Sequence, residues 1–139
     1  MNQAPERYDV EDVVKRFESC ETAKDAFRHQ DHLAVAVYYV EAFDVATALT
    51  RMRESLHRFL DHHQIDRQKY HETLTVFWIE MVAKYLRSSN EKLSLSEKCR
   101  KVQEAFGNKD FALEFYSPEV LWSDAARRSF IAPDKKSWK

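Results

Sequence analysis

Gly107 is the only glycine in this 139-residue chain, and the three prolines stand at positions 5, 118 and 133. Tight β-hairpin turns usually need glycine or asparagine, and glycine and proline are the residues that most often interrupt helices. A chain with so few of them has little with which to build hairpins and little that would end a helix early. The sequence therefore predicts an all-α fold.

Apolar residues recur at helical spacing in five segments, which predicts a compact bundle of about five main helices. The first helix covers about residues 9–19. The second carries an apolar stripe that begins at His29, and Asp44 is the expected N-cap of the third. The fourth, over about residues 70–87, is apolar on so wide a face that we expect it to be central.

The C-terminal third of the chain contains a series of helix-capping signals. Ser94 and Glu97 match a capping box, which starts a fifth helix that runs to Phe106 and ends at Gly107. Short C-terminal helices are expected at three further places: residues 110–116, the segment after Ser117, and the segment after Ser123.

A chain of this length can bury a sizeable core as one unit, so residues 1–139 are expected to form a single helical domain. Its two ends, residues 1–8 and 133–139, are polar apart from a few aromatic side chains such as Trp138. We expect both ends to lie on the surface or to fray.

Charge and hydropathy narrow the range of partners. The formal net charge is −1, from 22 basic and 23 acidic residues, so no overall field attracts nucleic acid. No stretch has the apolar length of a signal peptide or a membrane span. Cys20 and Cys99 are far apart and outside any CxxC motif, which favours a reducing compartment. We expect a cytoplasmic monomer or homodimer that binds neither nucleic acid nor membrane.

Three histidines stand at the expected starts of two apolar helices. His29 and His32 are three residues apart, so both rings can face one ion, and His71 with Glu72 begins the fourth helix. Imidazole and carboxylate together suit zinc, iron, manganese, nickel or copper, with Asp31 as a further ligand or orienting group. These residues are the predicted metal site, and neutral imidazoles there could equally act as general bases.

A structural role explains the same residues without any chemistry. Histidines at helix starts often bond to chain ends, and ligand-like spacing alone is a motif with many false positives. The His71–Glu72 segment resembles the zincin helix, but Thr75 replaces its second histidine, which excludes that mechanism. The Glu54-x-x-His57 spacing and the adjacent pair at positions 62 and 63 are ordinary helix-surface patterns and are left out of the predicted site.

The C-terminal region supplies further polar candidates. Tyr116 and Arg127 lie in a segment rich in hydroxyl and guanidinium groups, and such arginines clamp carboxylates or phosphates. They are equally suited to ion pairs that hold the C-terminus down. If the site is enzymatic, we predict His71, Glu72, Tyr116 and Arg127 as its catalytic residues, acting on a small polar or anionic molecule.

Three segments in one order carry a resemblance: His29-x-x-His-Leu, Tyr70-His-Glu-Thr-Leu-Thr, and Tyr116-Ser-Pro-Glu-x-Leu-x-Ser-x-x-Ala-Arg followed by Pro-Asp at 133–134. With these segments the chain resembles an uncharacterised family of small bacterial all-helical proteins, over about residues 17–134. The family pattern usually has arginine after the first histidine, where this chain has Gln30. The resemblance implies that the histidine and Tyr-Ser-to-Arg segments are a shared polar site, and it implies no activity.

Two functions from different classes follow from these patterns. One is a metal-dependent or acid/base enzyme, which requires the imidazoles to converge within about 4 Å of one point. The other is a non-enzymatic ligand-binding or protein-interaction module, in which the histidines are structural and exposed aromatic side chains meet a partner.

Overall fold

The computed structural model describes residues 8–89 and 92–138, and in these residues it contains helices and turns but no strand. The all-α prediction is confirmed. The α-helices, in chain order, are α1 (Val10–Glu18), α2 (His29–Ala42), α3 (Val45–His62), α4 (Glu72–Arg87), α5 (Leu95–Ala105), α6 (Pro118–Leu121) and α7 (Asp124–Arg128). Two 3-10 turns, Arg67–Lys69 and Lys109–Glu114, lie before α4 and after α5.

The predicted helix starts are confirmed by their capping bonds. The carboxylate of Asp44 accepts the backbone N–H of Thr47 at 2.7 Å, and Ser94 and Glu97 exchange the two bonds of a capping box. The hydroxyl groups of Ser117 and Ser123 cap α6 and α7, and each accepts the backbone N–H of the residue three positions on. α4 begins at Glu72, two residues later than predicted, because His71 is its N-cap.

α2 and α4 form the centre of the bundle. α4 packs against α2, α3, α5 and α7, as its wide apolar face predicted. α2 is equally central, since residues 33–37 are buried all round the helix and it contacts α1, α3, α4 and α5. The apolar stripe predicted for α2 was therefore too narrow. A run of small and branched residues, Leu33 to Val37, lets neighbouring helices pack on every side.

The C-terminal end differs from the expected surface tail. Residues 134–137 are exposed, but the Trp138 side chain is only 5% exposed and packs edge-on against Phe77, with ring centroids 5.1 Å apart. Burial of an indole removes a large apolar area from water, which holds this irregular segment on the bundle. The backbone N–H of Lys135 also donates to the Phe115 carbonyl at 2.9 Å. At the other end, residues 1–7 lie outside the described residues, and Tyr8 is exposed.

None of the helices in residues 8–89 and 92–138 has the length and apolarity that a membrane span requires.

The fold requires glycine at position 107, where α5 was predicted to end, but not because the backbone there is left-handed. Phe106 is the C-cap of α5, and Gly107 has no positive φ. A Cβ atom at Gly107 would lie 2.9 Å from the Gln103 carbonyl oxygen, which is too close for an unstrained contact. The chain passes so near the last turn of α5 that only glycine fits.

We therefore expect Gly107→Ala to lower the free energy of unfolding by about 1–3 kcal/mol, because the backbone must shift to accept the methyl group. Urea unfolding followed by circular dichroism measures this. Glu104→Ala, on the exposed side of the same helix end, is the control and should change stability by less than about 0.5 kcal/mol. Equal stability of Gly107→Ala and the parent protein would contradict the close approach.

Candidate functional site

His71 joins the start of α4 to the end of α6. Its Nδ1 accepts the backbone N–H of Leu74 at 3.1 Å, and its Nε2 donates to the Leu121 carbonyl at 2.6 Å. These two bonds require the neutral ring with the proton on Nε2. Burial lowers the pKa of His71, and the positive charge of Arg127 lowers it further, against the hydrogen bond to Leu121. Both ring nitrogens are thus used by the backbone.

Glu72 is similarly engaged. Its Oε1 accepts from Arg53 Nε at 3.0 Å and from the Tyr70 hydroxyl at 2.5 Å, and its Oε2 accepts from Arg53 Nη2 at 2.5 Å. Burial alone would raise the pKa of Glu72, but the hydrogen bonds from Arg53 and Tyr70 outweigh it and lower the pKa. The carboxylate is an ion-pair partner that ties α3 to α4.

His29 and His32 lie at the start of α2, at a different place in the bundle. His29 Nε2 bonds to the Phe106 carbonyl at 2.8 Å, and its ring stands edge-on to Trp78, 5.0 Å between centroids. The His32 ring packs on Phe27 at 4.3 Å. Burial lowers the pKa of His32 to about 4, and the neighbouring His29 adds to the effect. His32 is therefore a neutral, weakly basic imidazole.

The predicted metal ligands are not gathered at one point. His29 contacts Trp78, which lies seven residues beyond His71, or about 10 Å along α4. In the part of the chain that the structure describes, no three His, Cys, Asp or Glu side chains are grouped so that they could hold a metal ion. Asp31 accepts the Arg28 backbone N–H instead. The shared metal site stays a prediction that this arrangement does not support.

Of the other two predicted catalytic residues, one is internal and one lies at the surface. The Tyr116 side chain is fully buried, and its hydroxyl donates to the Ile131 carbonyl at 2.6 Å. Burial raises the pKa of Tyr116 to about 12. Arg127 is half-buried near His71, and its guanidinium has no hydrogen bond or ion pair to any residue in 8–89 or 92–138. Its guanidinium is available to an external group.

An exposed tryptophan contacts the same histidine. Trp122 is 47% exposed at the C-cap of α6, and its ring stands edge-on to His71 with centroids 5.9 Å apart. Arg127 approaches the same histidine from α7. We call Trp122, the adjacent edge of His71, and Arg127 the Trp122 surface. Exposed aromatic side chains were expected of an interaction module, and Trp122 is one of them.

Two histidines that were left out of the predicted site also have defined surroundings. His63 Nε2 bonds to the Thr22 carbonyl at 2.9 Å. The His57 ring lies 4.3 Å from Tyr70, and among the described residues its Nδ1 is a buried side-chain atom without a hydrogen-bond partner. No sequence signal marks the His63 bond, because its acceptor is a backbone carbonyl that any residue carries.

Comparison of the chain with protein-family models, with curated proteins and with solved structures gave no match. The family resemblance therefore stays a prediction.

We expect His71→Ala to lower the free energy of unfolding by about 2–4 kcal/mol, since it removes an N-cap and leaves the Leu121 carbonyl unpaired. His71→Asn restores a capping side chain but is too short to reach Leu121, so it should recover about 1 kcal/mol. Chemical unfolding gives the free energy of unfolding of the parent protein and of both His71 variants. His62→Ala, at an exposed position, is the matched control. Equal stabilities of His71→Ala and His62→Ala would show that the two bonds stabilise nothing.

The lowered pKa values predict acid sensitivity. Below the ordinary histidine pKa of 6.5 the unfolded chain takes up protons that folded His32 and His71 do not, so stability falls as the pH drops from 6.5 towards about 4. Urea unfolding between about pH 7 and pH 4 measures the slope. His32→Phe keeps a ring against Phe27 and should flatten it, whereas His62→Gln should not. An unchanged slope in His32→Phe would contradict the burial of a neutral imidazole.

Proposed function

We propose that this protein is a non-enzymatic interaction module that binds an acidic segment of a partner protein through the Trp122 surface. The observation that carries the proposal is that exposed Trp122 and the unpaired guanidinium of Arg127 both lie near His71. Tryptophan and arginine are the residues that most often dominate binding energy in protein interfaces. The histidines then serve to hold this surface in place.

The chemistry of the surface defines the partner. An apolar side chain can pack on the Trp122 indole, and a carboxylate beside it can form two parallel hydrogen bonds with Arg127. Asp124 and Glu119 are exposed on the same short helices and Arg128 follows Arg127, so a partner carboxylate is attracted to the arginine end of α7. We therefore infer a partner motif with one acidic residue close to one large apolar residue.

Acid/base or metal chemistry on a small polar or anionic molecule has less support. His71 would have to break its bond to Leu74 or Leu121 before it could accept a proton or bind a metal. Glu72 would have to leave Arg53. Each break exposes or strands a buried polar group, which costs about 1–3 kcal/mol.

A peptide selection tests the proposal. Random peptides are selected on the parent protein alone, and the survivors are measured against the parent protein and each variant by fluorescence polarisation. We expect acidic-apolar motifs that bind Trp122→Ser at least about ten-fold more weakly and Arg127→Gln more weakly than the parent protein. Lys15→Gln, an exposed change on α1, is the control and should bind normally. Motifs that bind all variants alike would contradict the proposal.

Elemental analysis separates the two functions. Near-stoichiometric metal in the parent protein that is lost in folded His29→Ala and His71→Ala would overturn the interaction module in favour of a metal enzyme. Loss of stability without any change in metal content is the result expected from structural histidines.

A further inference from the structure

A groove beside the C-terminal half of α4 is lined by aromatic and basic side chains. It has a volume of about 370 Å³ and an apolar, largely aromatic floor formed by Met81, Tyr85, Phe106, Phe115 and Trp138. Small-molecule sites in proteins commonly have volumes of about 300–1,000 Å³ and apolar walls with a few polar groups. The groove is therefore of the size that holds a small ligand.

The charged residues that line this groove are both cationic. They are Lys84 and Lys136, and the uncharged polar residues of the lining are Tyr85, Ser88 and Ser137. Lys84 donates to the Trp138 carbonyl, which uses one of its three N–H donors and leaves two for another acceptor. Lys136 lies 5.0 Å above the Phe115 ring and 3.7 Å from Glu114, in a solvent-exposed ion pair that contributes little.

A neighbouring groove of about 390 Å³ shares Lys84 and Trp138 and adds the cation Arg87. Its one acidic residue, Glu80, accepts the indole N–H of Trp138 at 3.4 Å. An anion is therefore directed to the lysine side of Trp138 and away from Glu80. The arrangement combines an aromatic floor with two cations at one edge.

We propose that the groove between α4 and the C-terminal segment binds a small amphipathic molecule with a single carboxylate. The apolar part lies on Phe106, Phe115 and Trp138, and the carboxylate accepts hydrogen bonds from Lys84 and Lys136. Charge complementarity selects the carboxylate over a neutral or cationic head group. The groove shares no residue with the Trp122 surface, so this proposal does not depend on the proposed function.

Isothermal titration calorimetry with decanoate tests the site, with decanol and decyltrimethylammonium as head-group controls. We expect saturable decanoate binding with a Kd below about 1 mM, and clearly weaker binding of both controls. Lys84→Gln and Lys136→Gln should each weaken decanoate binding, by roughly ten-fold where the ammonium bonds the carboxylate directly. Lys69→Gln, before the other end of α4, is the matched control and should leave binding unchanged.

Lys84→Gln also removes the bond to the Trp138 carbonyl, so its fold is checked by circular dichroism. If it is destabilised, Lys136→Gln decides, since Lys136 is itself exposed and its ion pair with Glu114 contributes little to stability. The proposal is overturned if decanoate shows no saturable binding or if decanol binds equally well. It is also overturned if decanoate binds Lys136→Gln, and a folded Lys84→Gln, as tightly as it binds the parent protein.

Discussion

The hydrogen bond from His71 to the Leu121 carbonyl is the contact on which the C-terminal part of the fold depends. α6 and α7 have four and five residues, far too few to be stable alone, so they form only where tertiary contacts hold them. The next residues of α4 continue the attachment, because the Thr73 hydroxyl donates to the Ser129 carbonyl and accepts the Ile131 N–H. The exposure of Trp122 and the position of Arg127 follow from this attachment.

The same kind of bond recurs at two other places in the bundle. His29 bonds to the Phe106 carbonyl at the end of α5, and His63 bonds to the Thr22 carbonyl after α1. A carbonyl at a helix end or in a loop lacks an intrahelical partner, and a ring N–H from another element satisfies it. Three of the six histidines therefore have a structural role as donors to carbonyls far away along the chain.

The features that the sequence predicted well depend on residues that are close together in the chain. Asp44, Ser94, Ser117 and Ser123 bond to backbone groups three residues away, so their role can be read from neighbours. The partners of the histidines were not predictable, because a backbone carbonyl 50 or more residues away carries no residue signature. The burial of Trp138 was not predicted, for a related reason. Its polar neighbours indicated a tail, but the cavity that buries it is formed by α4 and the segment around Phe115.

Where a protein can act on other molecules depends on which polar groups its own fold leaves unused. The bonds of His71 and Glu72 are complete, and any ligand that recruits them competes with short internal hydrogen bonds. Arg127 and two donors of Lys84 have no such competition, and each lies beside aromatic surface. A carboxylate that binds to either gains a charge-assisted hydrogen bond without breaking an intramolecular one, and both proposed ligands use this property.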